Sequence, residues 1–197
     1  MTRSGPTIDA IDVLMVCSGN TCRSPMAMVL LGHHLAELGV EARVHSAGTL
    51  GWGGPATENS AAVMAERGLD LSGHESRRLD AGLVIGADLV LGMTRDHVTG
   101  VLIHDPTAVD RTFVIGEVVR LGTQAGTRRA DQSPRRWTDA VAAKRPEGRR
   151  SGRVGDEIAD PVGEPLDVYR RTADRLDELT RALAVLLAPA IASDLAG

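Results

Sequence analysis

The chain has 197 residues, two cysteines, one Tyr, one Phe, two Trp and a net charge of −4. That length suits one domain with a sizeable core, and the negative balance gives no general pull toward nucleic acid or an anionic membrane. Two cysteines five positions apart, Cys17 and Cys22, exclude a disulfide framework, so a reducing, cytoplasmic setting is expected.

Residues 1–10 include Gly5 and Pro6 and lack the basic-then-apolar build of a secretory signal, so a flexible N-terminal arm is expected, followed by one domain over 11–197. An apolar run from Ile11 to Val16 reads as a strand. It delivers Cys17 into a loop rich in Gly, Asn, Ser and Thr, Arg23 follows six positions after that cysteine, and Pro25 opens a helical pattern. Strand, loop and helix start are the parts of an anion site: loop N–H groups converge on one point that the positive end of the helix also faces. In such a field a thiol becomes a nucleophile, which makes Cys17 the candidate, and the planar fork of Arg23 fits two oxygens of a phosphate. Gly19 permits positive φ or close backbone approach, Asn20 tolerates the left-handed conformation, and the Ser24 hydroxyl is placed to donate to the sulfur. The amides of Ser18, Gly19, Asn20, Thr21, Cys22 and Arg23 complete the expected phosphate cradle.

After the loop, Ala27, Leu31, Leu35 and Leu38 recur at helical spacing and Gly39 ends the run, giving a helix over 25–38. Residues 41–46 read as a strand, 48–57 as a Gly-rich loop holding Trp52, 58–67 as a helix, 88–93 as a buried strand, 95–103 as a helix, 111–115 as a fourth strand and 117–121 as the start of another helix. Strands alternating with helices predict a parallel sheet flanked by helices, with ligands beyond the carboxyl ends of its strands. The final helix is the clearest periodic element: Leu166, Tyr169, Ala173, Leu176, Leu179, Leu183 and Leu186 share one face. The late apolar run 182–192 contains Pro189 and falls short of the roughly 20 residues that cross a bilayer.

Between Leu121 and Asp156 the composition turns basic, with Arg128, Arg129, Arg135, Arg136, Lys144, Arg145, Arg149, Arg150 and Arg153 against three acids. Charge-rich stretches are usually solvated, so a partly disordered insertion at about 122–155 with a short helix near 134–143 is one expectation. A basic lid or docking surface beside the site is the other.

The string CSGNTCRSPMA resembles the active-site signature of the low-molecular-weight protein tyrosine phosphatases, a family with a flavodoxin-like fold: a four-stranded parallel sheet with helices on both faces. IADPVG, with Asp160 and Pro161, resembles the loop whose carboxyl protonates the leaving group. HSAGT, GHESRRL and ADLVLGMT fall between them in the family's order. The resemblance implies a hydrolase acting on phosphomonoesters of the phosphotyrosine type through a cysteinyl-phosphate on Cys17, with Arg23 on the phosphate, Asp160 as general acid and no cofactor or metal. It implies that Asn20, Ser24, Ser46 and His74 brace the loop, that Trp52 lines the substrate slot, and that Cys22 forms a reversible disulfide with Cys17 under oxidation.

Three positions depart from the tyrosine-specific pattern. Val162 and Gly163 stand where the family commonly carries aromatic residues, and Thr21 resembles the branch acting on phosphoarginine. A protein-arginine phosphatase is therefore the principal alternative, with a small-molecule phosphate hydrolase, an arsenate-reductase-like oxidoreductase and a silent phosphate-binding module behind it. Each residue also has a plainer reading. Cys17 and Cys22 can be buried apolar side chains, Arg23 a surface cation, Asp160 a helix start, Ser46 and His74 surface polarity, and Trp52 a loop anchor. His33, His34, His45, His97 and His104 show no metal-ligand spacing. The expected partner is a phosphorylated protein or small phosphomonoester, with no nucleic acid and no membrane; the oligomeric state is open.

Overall fold

The computed structural model describes residues 10–147 and 152–189. The arm expected at 1–10, apart from Ala10, lies outside the described residues, as do Arg149, Arg150 and the end of the late apolar run. The elements run β1 (Ile11–Cys17), α1 (Arg23–Glu37), β2 (Ala42–Gly48), α2 (Glu58–Ala65), α3 (Ala81–Gly86), β3 (Leu89–Gly92), α4 (Arg95–His104), β4 (Thr112–Val114), α5 (Ile115–Ala125), α6 (Pro134–Ala142) and α7 (Leu166–Leu187). No described helix is long and apolar enough to cross a membrane.

The sheet is parallel throughout, in the order β2-β1-β3-β4. The chain leaves β1 for β2 on one side and later returns to β3 on the other, so the carboxyl end of β1 is the point where strand order reverses. Cys17 is the last residue of β1. This is the flavodoxin-like arrangement that the resemblance implies.

β1 is buried on both faces, which explains its continuous apolar run. Val13 and Met15 join one core with Met26, Leu30, Leu121, Leu176 and Leu183, on the side of α1, α5 and α7. Leu14 and Val16 join the other with Leu79, Val84, Val90 and Val101, on the side of α3 and α4. Alternation along one strand thus feeds two cores.

Two expectations need correction. Helix α3 was not foreseen: its six residues, AGLVIG, have glycine near both ends and are too few to show a helical period, and it is held by its cap, the Asp80 carboxylate accepting from Leu83 N–H at 2.9 Å. The basic stretch, over its described part, is not a solvated insertion. Trp137 and Val141 of α6 lie in the first core, and Trp137 Nε1 donates to Gly126 O at 2.9 Å. Two arginines point inward: Arg128 Nε donates to Leu187 O at 2.9 Å, while Arg145 pairs with buried Glu117 at 3.0 Å and lies 4.2 Å over the Phe113 ring.

Residues 128–145 of this stretch do not cover the site, whereas Val154 near its end lines the cleft beside Ser18, Arg23 and Asp160. Arg135 Nε reaches Asp88 Oδ1 at 3.1 Å and Arg145 Nη2 reaches Thr112 O at 2.6 Å, and these acceptors stand where β3 and β4 begin. Residues 128–145 therefore pack at the amino edge of the sheet, opposite Cys17. A short run of charge in sequence does not say whether each cation faces water or a buried carboxylate.

Because Trp137 is 1% exposed, Trp137→Ala should lower the unfolding free energy by about 3–5 kcal/mol, read from urea unfolding curves. A change under about 0.5 kcal/mol, the size of a surface substitution, would return the stretch to the solvent.

Candidate active site

The loop between β1 and α1 is set by where its carbonyls go. Cys17 O accepts from Thr49 N–H at 2.9 Å, Ser18 O from Leu50 N–H at 3.0 Å, Gly19 O from Trp52 N–H at 3.3 Å, and Thr21 O from Thr57 N–H at 2.8 Å. Gly19 O also accepts from the Ser76 hydroxyl at 2.7 Å, and Asn20 O faces His74 Nε2 at 2.6 Å. Five successive carbonyls are thus held from outside, and the N–H groups of the loop are left for its inner side. A cradle of amides at the start of a helix is an anion site.

Side chains fix the loop further. Asn20 has φ +58, the left-handed conformation that asparagine tolerates. Its Oδ1 accepts from Arg77 N–H at 2.9 Å, which leaves Nδ2 to donate to Ser46 Oγ at 2.8 Å and Ser24 Oγ at 3.0 Å. Ser24 Oγ lies 3.0 Å from Cys17 Sγ; having accepted from the amide, its hydroxyl has a proton to offer the sulfur. Close approach, not positive φ, is what requires glycine at 19: a Cβ there would stand 2.2 Å from Trp52 Cε3. Trp52 itself is 57% exposed and lies on the loop. At Gly48 a Cβ would meet Ser18 O at 2.5 Å.

Arg23 is buried at the foot of the loop. Its Nη1 donates to Ile158 O at 3.2 Å and its Nη2 pairs with Asp160 Oδ2 at 2.5 Å, whereas Nε has no partner among the described residues. Asp160 lies 137 positions away in sequence, and the segment before it is pinned in three places. Asp156 takes a two-point contact from Arg120 of α5 at 3.1 and 2.7 Å, Glu157 accepts from Arg95 N–H at 3.0 Å, and Ile158 N–H donates to Met93 O at 2.8 Å. Asp160 is left at the mouth, its side chain 42% exposed. A cleft of about 460 Å³ lies there, lined by Ser18, Arg23, Thr94, Asp96, His97, Glu157 and Asp160 among others.

The sequence-derived residues Cys17 to Ser24, Ser46, His74 and Asp160 thus meet around one loop, with Trp52 against it. Val162 is an exposed side chain whose N–H donates to Asp160 Oδ1 at 3.3 Å. Burial pushes the Cys22 thiol up to about 12, so Cys22 stays a thiol at ordinary pH. Sequence reasoning missed Ser76, Arg77, Arg95, Arg120, Glu157 and above all His97. The string GHESRRL held Ser76 and Arg77, but it offered no sign of their partners. His33 and His34 come within 4.8 Å of Glu37 in ligating atoms, a proximity that their spacing in sequence does not show. They stand at the far end of α1, where His34 Nε2 already pairs with Asp177 at 2.8 Å.

The family model for low molecular weight phosphotyrosine protein phosphatase matches residues 12–125. A protein-arginine-phosphatase of Bacillus subtilis is 31% identical over 175 residues, 88% of this chain and 95% of its own length. A low molecular weight protein-tyrosine-phosphatase of Acinetobacter johnsonii is 38% identical over 106 residues, 53% of this chain and 72% of its own. Among solved structures, the low molecular weight protein tyrosine phosphatase of T. tengcongensis superposes with a TM-score of 0.67 at 31% identity, covering 88% of this chain and 97% of that one.

His97 supplies a pH signature of this site. Burial first, then the Arg23 charge, lowers its pKa from 6.5 to about 4, so the unfolded chain binds the proton more tightly than the native one. Its stabilising contribution is complete above pH 6.5 and is lost as pH falls toward about 4. Urea midpoints measured across that interval should fall less steeply in His97→Gln than in the parent; identical slopes would contradict the burial of a neutral imidazole.

Proposed function

This chain belongs to the low molecular weight phosphotyrosine protein phosphatase family, and we propose that it hydrolyses phosphomonoesters in two steps at the Cys17 loop. The Cys17 thiolate attacks phosphorus in line while the loop amides and Arg23 hold the three equatorial oxygens. Asp160 protonates the departing oxygen. The same carboxylate then takes a proton from water, which attacks the cysteinyl-phosphate and releases inorganic phosphate, with the leaving sulfur met by the Ser24 hydroxyl. The observation that carries this reading is the outward bonding of five loop carbonyls around a cysteine whose neighbouring arginine also holds an aspartate at the mouth.

Arg23 explains how the parts work together. Nε is buried without a partner among the described residues, so an oxyanion that takes Nε and Nη2 satisfies a stranded donor and competes with Asp160 for the second. Arrival of the phosphoryl group thereby releases the carboxyl toward the leaving group. Arginine and amides together supply the charge neutralisation that phosphoryl transfer needs.

A second reading, hydrolysis of the P–N bond of phosphoarginine, is favoured by Thr21 and by the absence of an aromatic at 162–163, since the ring stacking a phosphotyrosine would use is missing there. A relative named protein-arginine-phosphatase and the T. tengcongensis tyrosine phosphatase each match 88% of the chain at 31% identity, so similarity alone does not separate the two readings. In either reading the partner is a phosphorylated protein or small phosphate compound.

Cys17→Ser should abolish turnover yet retain binding of inorganic phosphate, and surviving turnover would refute the nucleophile. Asp160→Asn should lower kcat by about 10²–10⁴, with the larger loss on the poorer leaving group; equal losses on phenyl and p-nitrophenyl phosphate would remove its acid role. Comparing kcat/KM on phosphotyrosine and phosphoarginine peptides decides between the two readings.

A further inference from the structure

The hydrogen atoms on the open side of the loop can be placed by counting donors. Thr94 N–H can only donate, and it points at His97 Nδ1 at 3.1 Å, with the Thr94 hydroxyl 2.9 Å from the same nitrogen. Nδ1 is therefore an acceptor, and the ring proton of a neutral imidazole must sit on Nε2. Nε2 lies 2.9 Å from Ser18 Oγ, so His97 donates and Ser18 accepts. The only other partner of that oxygen among the described residues is Arg23 Nη2 at 3.5 Å, also a donor.

Both lone pairs of the Ser18 oxygen thus face donors, and its own proton has no acceptor among the described residues. Ser18 and His97 line the same cleft as Arg23 and Asp160, and the remaining tetrahedral direction on Oγ is the one left for that cleft. A hydroxyl with two lone pairs occupied is a donor only, and the acceptor it fits is an oxyanion.

We propose that the Ser18 hydroxyl is a fixed hydrogen-bond donor to the phosphoryl oxygens, adding to the backbone cradle, and that His97 is the positioning residue that sets its direction. This assignment rests on the phosphohydrolase reading above and extends it to a side chain that the backbone signature does not require. His97 faces Arg23, Asp160, Asp96 and Glu157, and with burial dominant over their charges it stays neutral at ordinary pH. A protonated ring would set an Nδ1–H against the Thr94 N–H, so the neutral tautomer is also what the backbone demands. The arrangement places the hydroxyl proton before substrate arrives, the preorganisation that makes a donor effective in phosphoryl transfer.

His97 also caps α4 through Thr94, and two variants separate that structural part from the positioning part. Asparagine reproduces the Nδ1 acceptor and loses the Nε2 donor; glutamine reproduces the Nε2 donor and loses the cap. The probes are initial rates on p-nitrophenyl phosphate, affinity for inorganic phosphate by calorimetric titration, and thermal unfolding.

Ser18→Ala should lower kcat about tenfold to a hundredfold, the range for one hydrogen bond to a charged group. His97→Asn should fall by the same factor at near-parental Tm, and His97→Gln should stay within about threefold of the parent at a lower Tm. The double variant Ser18→Ala/His97→Asn should be no slower than either single, because both remove one donor. Losses that multiply in the double variant, or a folded His97→Asn with parental kcat, would overturn the proposal. If the parent turns over no phosphate compound, the phosphohydrolase reading fails separately. Phosphate affinity then decides this inference: it stands if Ser18→Ala and His97→Asn weaken binding equally and falls if they do not.

Discussion

A backbone loop can bind an oxyanion only if its amides face one way, and that is decided by what holds its carbonyls. In this protein five consecutive carbonyls, from Cys17 to Thr21, take hydrogen bonds from donors at 49–57 and 74–76. None of those donors is part of β1 or α1, so the loop is shaped by its surroundings and not by its own short sequence. The cost of leaving a buried carbonyl unpaired then works against any collapse of the cradle. The same segments supply Gly48 and Trp52, whose close approach to 18–19 leaves no room for side chains at Gly19 and Gly48.

The second tier of organisation runs through groups that can hydrogen-bond in one sense only. Arg77 N–H fixes the Asn20 amide, which fixes Ser24, which directs a proton at Cys17 Sγ. On the open side Thr94 N–H fixes the His97 tautomer, which fixes Ser18. Each relay begins at a backbone N–H, a group that cannot reverse, and ends at a hydroxyl, a group that can. The fold thereby removes the rotational freedom of two serines. Thr94 follows the end of β3, and Arg77 is tied to the end of β2 by the bond from Gly48 N–H to its carbonyl, so both starting amides sit at the carboxyl edge of the sheet, where elements far apart in sequence meet.

Much of this was legible in the sequence because local chemistry demanded it. Cys17, Gly19, Asn20, Arg23 and Ser24 sit within eight residues, and a strand, a loop and a helix start were readable on either side of them. Asp160 was legible only through its resemblance to a known motif, since an Asp-Pro ahead of a helix has many uses. What stayed hidden were single residues whose meaning is a partner far along the chain: Arg120 matters because Asp156 is opposite it, and Arg145 because Glu117 is buried beneath it. His97 shows no metal-ligand spacing, and its significance lies in which nitrogen faces a backbone donor.

The basic stretch shows the same limit from the other side. Its charge suggested a surface, yet Arg145 meets Glu117 with both side chains under a tenth exposed, and Arg128 caps the end of α7. A buried ion pair adds little stability over an apolar pair but is costly to break on one side, so such residues constrain how the chain can pack more than they strengthen it. Here the constraint falls on α5: the helix that holds Glu117 also carries Arg120, whose grip on Asp156 leads to Ile158 and the mouth. Arginines at the amino edge of the sheet thus help fix the helix from which the Asp160 segment hangs at the opposite edge. The connection is made through one rigid element.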